Sequence, residues 1–565
     1  MPQQTIYPIR NGLQLPRGEN LQAVEVFSEG GMDLTQSIIE SKPGCALNLV
    51  NFEAGLKGGY RRINGFSPYI YAEVPGLEDV LVVTNYLSTT AIAGRRSAGA
   101  TSQYNMYAST SNSWTKINTA LELDYIAGMR IQKAHYNWTG TPIVTFADGV
   151  NPAYKWNGSV LTSLNGAGSP ADPTCVIAFS GYLFLGGYSS NSAAVTISAP
   201  LDDTNYSTVD GAAEFIVGDT EVVGFGIWRA ELIIFCKSSI WKISGNSTDF
   251  TSATPFKLDA ITKKIGCVDG HTIQEVNGDI VFLANDGIRT ISGTANIGDT
   301  ETASISRPIQ SIVSNINPNT NPCYSVVVRD KTQYRLFYPD PTQSATICKG
   351  VVGSVRRFRD GHEGWEWGQL QGIAPTCTDS RYASNGTEYV LFGAADGYVY
   401  QMESGSTFNE VDSINPFLYD DGNLYDDPDV IYDGITFSNT PIGELYETVP
   451  LELGDYGIRK ALQRVTLYYY AEGDLNLYMQ VIYDYDKPGT ISPRAYSIAA
   501  NVATNLYDTG LLYDNGVLYD QIIYPVKRQS VQGSGFITQL KFNSVDSSSY
   551  VIQGFYIEFF PAGRR

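Results

Sequence analysis

Histidine is nearly missing from this chain: His135, His271 and His362 are the only three in 565 residues. None lies in an HExxH pair, and no GxSxG elbow, Walker loop or Rossmann glycine fingerprint occurs. The usual sequence marks of zinc hydrolases, serine hydrolases and nucleotide-binding enzymes are therefore absent. Charge is scarce too, at 17% of residues, against roughly 25% in an ordinary soluble protein. Basic residues are outnumbered 38 to 58, for a net charge of −20. A sequence-reading DNA binder needs a basic footprint, so this balance argues against that class. An acidic wall over which DNA slides is compatible with this balance, and so is simple solubility of a large protein. The seven cysteines form no CxxC pair, are odd in number, and several sit in apolar runs (IIFCKSS, IGCV). They read as reduced, buried thiols of a chain made in a cytosol. Long apolar runs are missing: the longest, near VVGFGIWRAELIIF, is interrupted by Arg229 and Glu231, so no membrane span is expected. The opening MPQQTIYPIRNG has no apolar h-region, and no secretory signal is expected.

What the chain does contain is 43% apolar residues, 38 tyrosines and 55 glycines. That composition suits many short strands joined by tight turns. A unit recurs from about residue 75: an apolar run reaching a phenylalanine, a turn, a second short run, and a glycine. Clear copies are IVTFADGVNPAYKWNG with Phe146, LIIFCKSSIWKISG with Phe235, IVFLANDGIRTISG with Phe282 and YVLFGAADGYVYQMESG with Phe392. Two of the gaps between these are about double the third. Copies are therefore expected near residues 190 and 337, and YLFLGGYSS with Phe184 and YRLFYPDP with Phe337 supply them. A weaker copy, DVLVVTN near Val82, precedes the series. Units of roughly 40–55 residues with several strands and Asp–Gly or Asn–Gly turns are the sequence signature of propeller blades. Packed β-sandwiches would give similar strands with a less even spacing.

The chain is thus read as all-β. It has an extended N-terminal arm over 1–74, a β-propeller of six to eight blades over 75–405, and a β-rich platform over 406–565. The arm contains Phe27 to Phe66, FSEGGMDLTQSIIESKPGCALNLVNFEAGLKGGYRRINGF. Its apolar residues are too scattered for a long helix and too interrupted for a long strand. Its glycines lack the strand–loop–helix setting of a phosphate-binding loop. Lys42, Lys57, Arg61 and Arg62 are its candidate contact residues. The platform holds two tracts that repeat Leu/Ile–Tyr–Asp, NPFLYDDGNLYDDPDVIYDG and LYDTGLLYDNGVLYD. Asp420, Asp421, Asp426, Asp427, Asp429 and Asp433 of the first could bind Ca²⁺, but without EF-hand spacing the alternation reads better as a hairpin ladder with one packed and one wet face.

VRRFRDGHEGWEWGQL sets Arg356, Arg357 and Arg359 beside Trp365 and Trp367. Arginine with tryptophan marks interface hot spots; a tryptophan in a blade core with arginines at its edge is the alternative. SNSWTKI only faintly echoes the Asp-box turns of propeller glycosidases. Glycosidase chemistry needs two facing carboxylates, which a chain with 58 acids cannot reveal by pattern. No catalytic residue, cofactor or metal is assigned from sequence.

The stretch GGMDLTQSIIESKPGCALNLVNFEAGLKGGYRRINGF resembles the opening of the tail nozzle proteins of short-tailed bacteriophages, also called tail tubular protein B or packaged-DNA stabilisation proteins. GFGIWRAELIIFCKSSIWKISG and IGCVDGHTIQEVNGDIVFLANDGIRTISGT are similar to propeller segments of the same family. The resemblance covers the arm and about residues 220–310; it is weak over 75–140 and does not extend to the Tyr–Asp tracts. It implies a virion structural protein without catalysis, six copies in a ring below the portal and adaptor, and tail fibre or needle proteins as further partners. It also implies a central channel through which double-stranded DNA leaves without sequence-specific binding, retained until infection by a gate of loops. Six copies would carry about −120 in all, suited to a lumen that does not hold DNA. Two other classes stay open: a propeller-type host-recognition or glycan-binding protein, and a carbohydrate-active propeller enzyme.

Overall fold

In the computed structural model, Phe146, Phe184, Phe235, Phe282, Phe337 and Phe392 all fall on the second strand of successive antiparallel sheets, and all are buried. Residues 21–35, 41–87, 89–218, 220–296, 304–316, 322–340, 348–359, 361–412, 436–473, 475–487, 492–500 and 526–564 are described. Each second strand is flanked by strands of its own sheet and covered on both faces by neighbouring sheets, so it reads as a continuous apolar run rather than an alternation. Burying one such ring contributes about 1.5–3 kcal/mol, and the repeat places it at the same level of every sheet.

The sheets are radial blades of a β-propeller. Blade 1 is built from Leu77–Tyr86, Thr90–Arg96 and Gln103–Ser109, with Trp114–Lys116 and Leu123–Asp124 both on its outer strand. Blade 2 runs from Gln132–Tyr136 to Leu161–Ser163, blade 3 from Cys175–Phe179 to Ala213–Ile216, and blade 4 from Val222–Trp228 to Lys257–Thr262. Blade 5 has three strands, Gln274–Val276, Asp279–Ala284 and Gly287–Thr290, after which the chain enters the helix Ile291–Asn296. Blade 6 runs from Tyr324–Val328 to Glu363–Gln371. Blade 7 comprises Cys377–Tyr382, Glu388–Gly393 and Val399–Met402, and its fourth strand comes from the other end of the ring: Phe66–Pro68, antiparallel to Val399–Met402. Among the described residues the ring thus comprises seven radial sheets, of which that of blade 5 shows three strands, and a segment preceding blade 1 closes it. Val82 lies on the first strand of blade 1, out of phase with the phenylalanines; the matching second strand, Thr90–Arg96, is filled by Ala91, Ile92 and Ala93. The expected tight turns are present, as at Asn277–Gly278, where φ of 53° and 75° closes the two-residue hairpin between Val276 and Asp279.

A second β-unit is joined to the ring. Its long strand Tyr550–Arg564 pairs with Ile458–Ala471 on one side, and on the other with Gln22–Phe27 and Tyr60–Arg62. The facing sheet carries blade 6 onward through Ala46–Val50, Leu445–Thr448, Thr538–Ser544, Leu475–Tyr483 and Tyr496–Ala500. The hinge of that continuation is a parallel bridge from Val50 to Gln369. Aromatic rings fill the space between the sheets: Tyr446 meets Phe52, Tyr60 and Phe542 with centroids 6.3, 5.1 and 5.6 Å away. Thr407–Asp412 and Thr436–Pro441 pair with each other and extend the blade 7 sheet through Phe66, so residues just beyond 405 still belong to the ring's last sheet.

The stretch read as an extended arm is instead five short strands shared among three sheets. Its apolar positions are scattered because each strand is only three to six residues long and faces a different partner. Both Tyr–Asp tracts, with their hairpin-ladder and Ca²⁺ readings, fall outside the described residues.

Candidate functional site

Two turns that are remote in sequence form a basic groove of about 350 Å³. The first is the tip of the hairpin Phe52–Ala54/Tyr60–Arg62, where the Gly55 amide bonds the Gly59 carbonyl at 2.9 Å. Gly59 has φ 79°, and a Cβ there would stand 2.2 Å from the Ile552 carbonyl oxygen, so only glycine lets this tip lie against the long platform strand. The tip holds Lys57 in solvent, its Nζ 5.8 Å from the Tyr470 ring. The second is the end of the blade 6 hairpin, where Arg356 pairs with Gly364 and Arg357 with Glu363.

Arg356 crosses between the two. Its Nη1 lies 3.0 Å from Glu366 Oε2 and donates to the Gly59 carbonyl at 3.4 Å. Glu366, which also accepts from the Gly30 amide, is pushed up by burial against the pull of Arg356. Arg359 lies face-on to Phe27, 3.2 Å from the ring centre, a cation–π contact. Arg357 is exposed. Glu25, Glu29, Phe358 and Tyr468 complete the lining. Four of the nine residues singled out from sequence, Lys57, Arg356, Arg357 and Arg359, thus converge from segments some three hundred positions apart.

The other five do not join them. Lys42 stands on an exposed turn. Trp367 is 1% exposed, stacked on Trp365 at 5.6 Å, and donates from Nε1 to the Ile305 carbonyl at 2.8 Å. It is a core residue rather than an interface anchor, because its strand runs between blade 6 and the platform strands. Arg61 and Arg62, expected to contact a neighbour, make their bonds within the chain. Arg61 binds Glu472 through two nitrogens, at 3.0 and 2.7 Å. Arg62, fully buried, donates to the carbonyls of Asp546, Ser548 and Ser406 at 2.7, 2.7 and 2.9 Å, and its Nε lies 3.5 Å from Glu444 Oε2. One guanidinium therefore ties the arm to the platform and to the blade 7 sheet. Beside it, Glu53 accepts from Lys331 at 2.6 Å and from Arg335 at 3.2 Å, and both cations also reach Glu403. This buried network joins arm, blade 6 and blade 7. It carried no sequence signal, because its members are single charges in unrelated segments.

At the ring axis the innermost strands of all seven blades line a polar cavity of about 470 Å³. Lys133, His135, Glu275, Arg329, Asp379 and Arg381 are on its wall. None was singled out as a site residue. The signal that could have found them is positional: in blades 2, 5, 6 and 7 they lie on, or directly after, the first strand of the repeat, one strand before the phenylalanine run. His135 is pushed down to about 3, chiefly by burial and then by Arg381. His271 is packed between blades, 6.0 Å from the Tyr324 ring and within reach of the Ile131 carbonyl. Its backbone amide bonds Asp269 Oδ1 at 2.9 Å, and Asp269 pairs with Arg130 at 2.7 Å. Six of the described cysteines are buried, and Cys348 is half-buried. Burial pushes Cys45 and Cys267 up to about 12, which leaves them as inert packing groups.

No protein-family model matches this chain, and no curated protein does. Among solved structures it is similar to Raptor from Chaetomium thermophilum, at 8% identity and a TM-score of 0.37, over 60% of this chain and 29% of that one. It is also similar to an exo-beta-1,3-galactanase from Phanerochaete chrysosporium, at 10% identity and a TM-score of 0.23, over 88% of this chain and 99% of that one. The chain thus spans less than a third of Raptor, and likenesses this distant carry no functional argument.

Proposed function

We propose that the chain is the nozzle subunit of a short phage tail, a virion structural protein that assembles as a homohexamer below the portal and adaptor and forms the exit channel for double-stranded DNA. The observation that carries this reading is where the resembling stretch lies. Phe27 to Phe66, which resembles the start of the nozzle family, is the segment that fastens the propeller to the second β-unit and closes the last blade. The likeness thus falls on the residues that define the two-part architecture. The charge of −20 suits the wall of a DNA conduit. The basic groove of Lys57, Arg357 and Arg359 stands out against that acidic average and suits an acidic face of a neighbouring copy. Tail fibre or needle proteins are the partners expected at the far end.

The glycan-directed readings are served less well by the axial cavity. Its carboxylates are Asp379 and Glu275, and Asp379 is bound by Lys133, by the Thr84 hydroxyl and by the Asn85 amide, an arrangement unlike two free carboxylates facing a sugar. Negative-stain imaging of the purified protein tests the proposal. Rings with sixfold symmetry and an open axis are expected, whereas monomers or trimers that bind or hydrolyse a glycan would overturn it.

A further inference from the structure

We propose that the axial cavity of the propeller binds a small oxyanion, a phosphate or carboxylate group, on the guanidinium of Arg381. The argument rests on which polar groups in the cavity are already committed.

The charged groups on its wall are Lys133, Arg329 and Arg381 against Glu275 and Asp379; with Glu388 behind Arg329 the two signs balance, so the question is which of the cations are already paired. Lys133 Nζ donates to the carbonyls of Val83 and Thr378, both at 2.7 Å, and lies 3.2 Å from Asp379 Oδ1; its three protons are used. Asp379 Oδ2 accepts from the Thr84 hydroxyl at 2.9 Å and from the Asn85 amide at 3.1 Å. The Thr84 hydroxyl has one proton and gives it to that carboxylate. Its 2.8 Å contact with His135 Nε2 must then be donated by the imidazole. His135 is neutral, so this N–H is the one it has. Arg329 donates from Nη1 to the Ser380 carbonyl at 2.7 Å and to the Ser380 hydroxyl, with Glu388 at 3.6 Å.

Arg381 is different. It is half-buried on the first strand of blade 7, paired through its backbone with the strand Glu388–Gly393, and lines the cavity; its side chain makes no hydrogen bond or ion pair with the described residues. Burial pulls its guanidinium below the usual range, Asp379 opposes that, and Arg329 adds to it. A guanidinium with five N–H donors, partly out of water with Asp379 and a second guanidinium near it, is better satisfied when an anion comes within reach of its fork. The planar fork matches two oxygens of a phosphate or carboxylate. Glu275 lies on blade 5, and the inner strand of blade 6 comes between it and Arg381 around the ring. The cavity volume of about 470 Å³ holds inorganic phosphate or a small phosphomonoester with space to spare.

The test is calorimetric titration of the full-length protein with inorganic phosphate and, separately, with succinate. Saturable binding of at least one is expected, and the tighter of the two identifies the source as a phosphate-bearing or a carboxylate-bearing ligand. Arg381→Gln should weaken it at least about tenfold, as loss of a charge-assisted fork does, and Arg381→Lys should weaken it less. Arg357→Gln, in the outer groove, should leave it unchanged and so controls for non-specific attraction. Should Arg381→Gln fail to fold by thermal melting, the comparison rests on Arg381→Lys, which keeps the charge and loses the fork. Absence of saturable binding to the wild-type chain overturns the proposal. So does equal affinity in the Arg381 variants, or an equal loss in Arg357→Gln.

Discussion

Arg62 and Arg61 are adjacent and were read alike, yet they do different things. Arg62 is fully buried, faces three carbonyls from two other regions of the fold, and is the cation beside Glu444. Removing it leaves a carboxylate buried without a counter-charge, so Arg62→Ala is expected to destabilise the protein by about 3–5 kcal/mol. Arg61 holds the exposed Glu472 and also reaches Glu53, which keeps Lys331 and Arg335 as counter-charges, so Arg61→Ala should cost less, about 1–2 kcal/mol. Urea unfolding of both variants checks the contrast, and equal losses would show that the Arg62 contacts are not those described. Two carboxylates should shape the pH profile in opposite directions. Glu403 is held down at about 2 against the opposing effect of burial, by Arg335 and then Lys331. Its folded value is below its ordinary 4.5, so its contribution is present above pH 4.5 and is lost as pH falls towards 2. Glu444 is pushed up to about 7 by burial, against Arg62. Its folded value is above its ordinary one, so its contribution is greatest below pH 4.5 and declines as pH rises towards 7. Thermal melts should show a flatter acid limb for Glu403→Gln and a flatter slope between pH 4.5 and 7 for Glu444→Gln. Slopes identical to wild type would refute the assignments.

The element with the largest consequence for its size is Phe66–Pro68. It is three residues long, yet it supplies the fourth strand of blade 7 and so joins the last blade to the chain ahead of the first. Phe66 is 2% exposed and packs on Phe392, Tyr400 and Phe408 with centroids 5.2, 5.2 and 4.9 Å away. Phe66→Ala should cost about 3–5 kcal/mol. Hydrogen exchange should rise locally in Val399–Met402, the strand that loses its partner. Phe235→Ala, in the middle of blade 4, should be similarly destabilising without that local rise. If exchange in Val399–Met402 is the same in both variants, the closing strand is not the seam of the ring.

At the scale of the molecule, propeller and platform share strands as well as surface: one sheet runs from Tyr324–Val328 of blade 6 to Tyr496–Ala500 of the platform. With those strands shared, a surface feature such as the basic groove is where docking of a second copy can be tested. The double variant Arg357→Glu/Arg359→Glu changes two exposed side chains. It should shift monomer stability by less than about 1 kcal/mol. If the groove docks an acidic face of a second copy, sedimentation velocity should show the ring population falling sharply and wild-type rings weakening with salt. A variant that assembles as well as wild type would remove the groove from the interface.

The propeller was legible in the sequence because its repeat is local. Phe146 to Phe392 recur at the spacing of one blade, and each marks a strand buried on both faces, which an apolar run reports directly. Asn277–Gly278 was legible for the same reason, since a two-residue turn with positive φ writes itself into adjacent residues. What the tertiary structure alone decided is everything that depends on pairing across hundreds of positions. Phe66–Pro68 closes blade 7, Glu53 meets Lys331, Arg335 and Glu403, and Lys57 shares a groove with Arg359. Short strands and single charges have no period of their own, so their partners are chosen by the closure of the ring rather than by their neighbours in sequence.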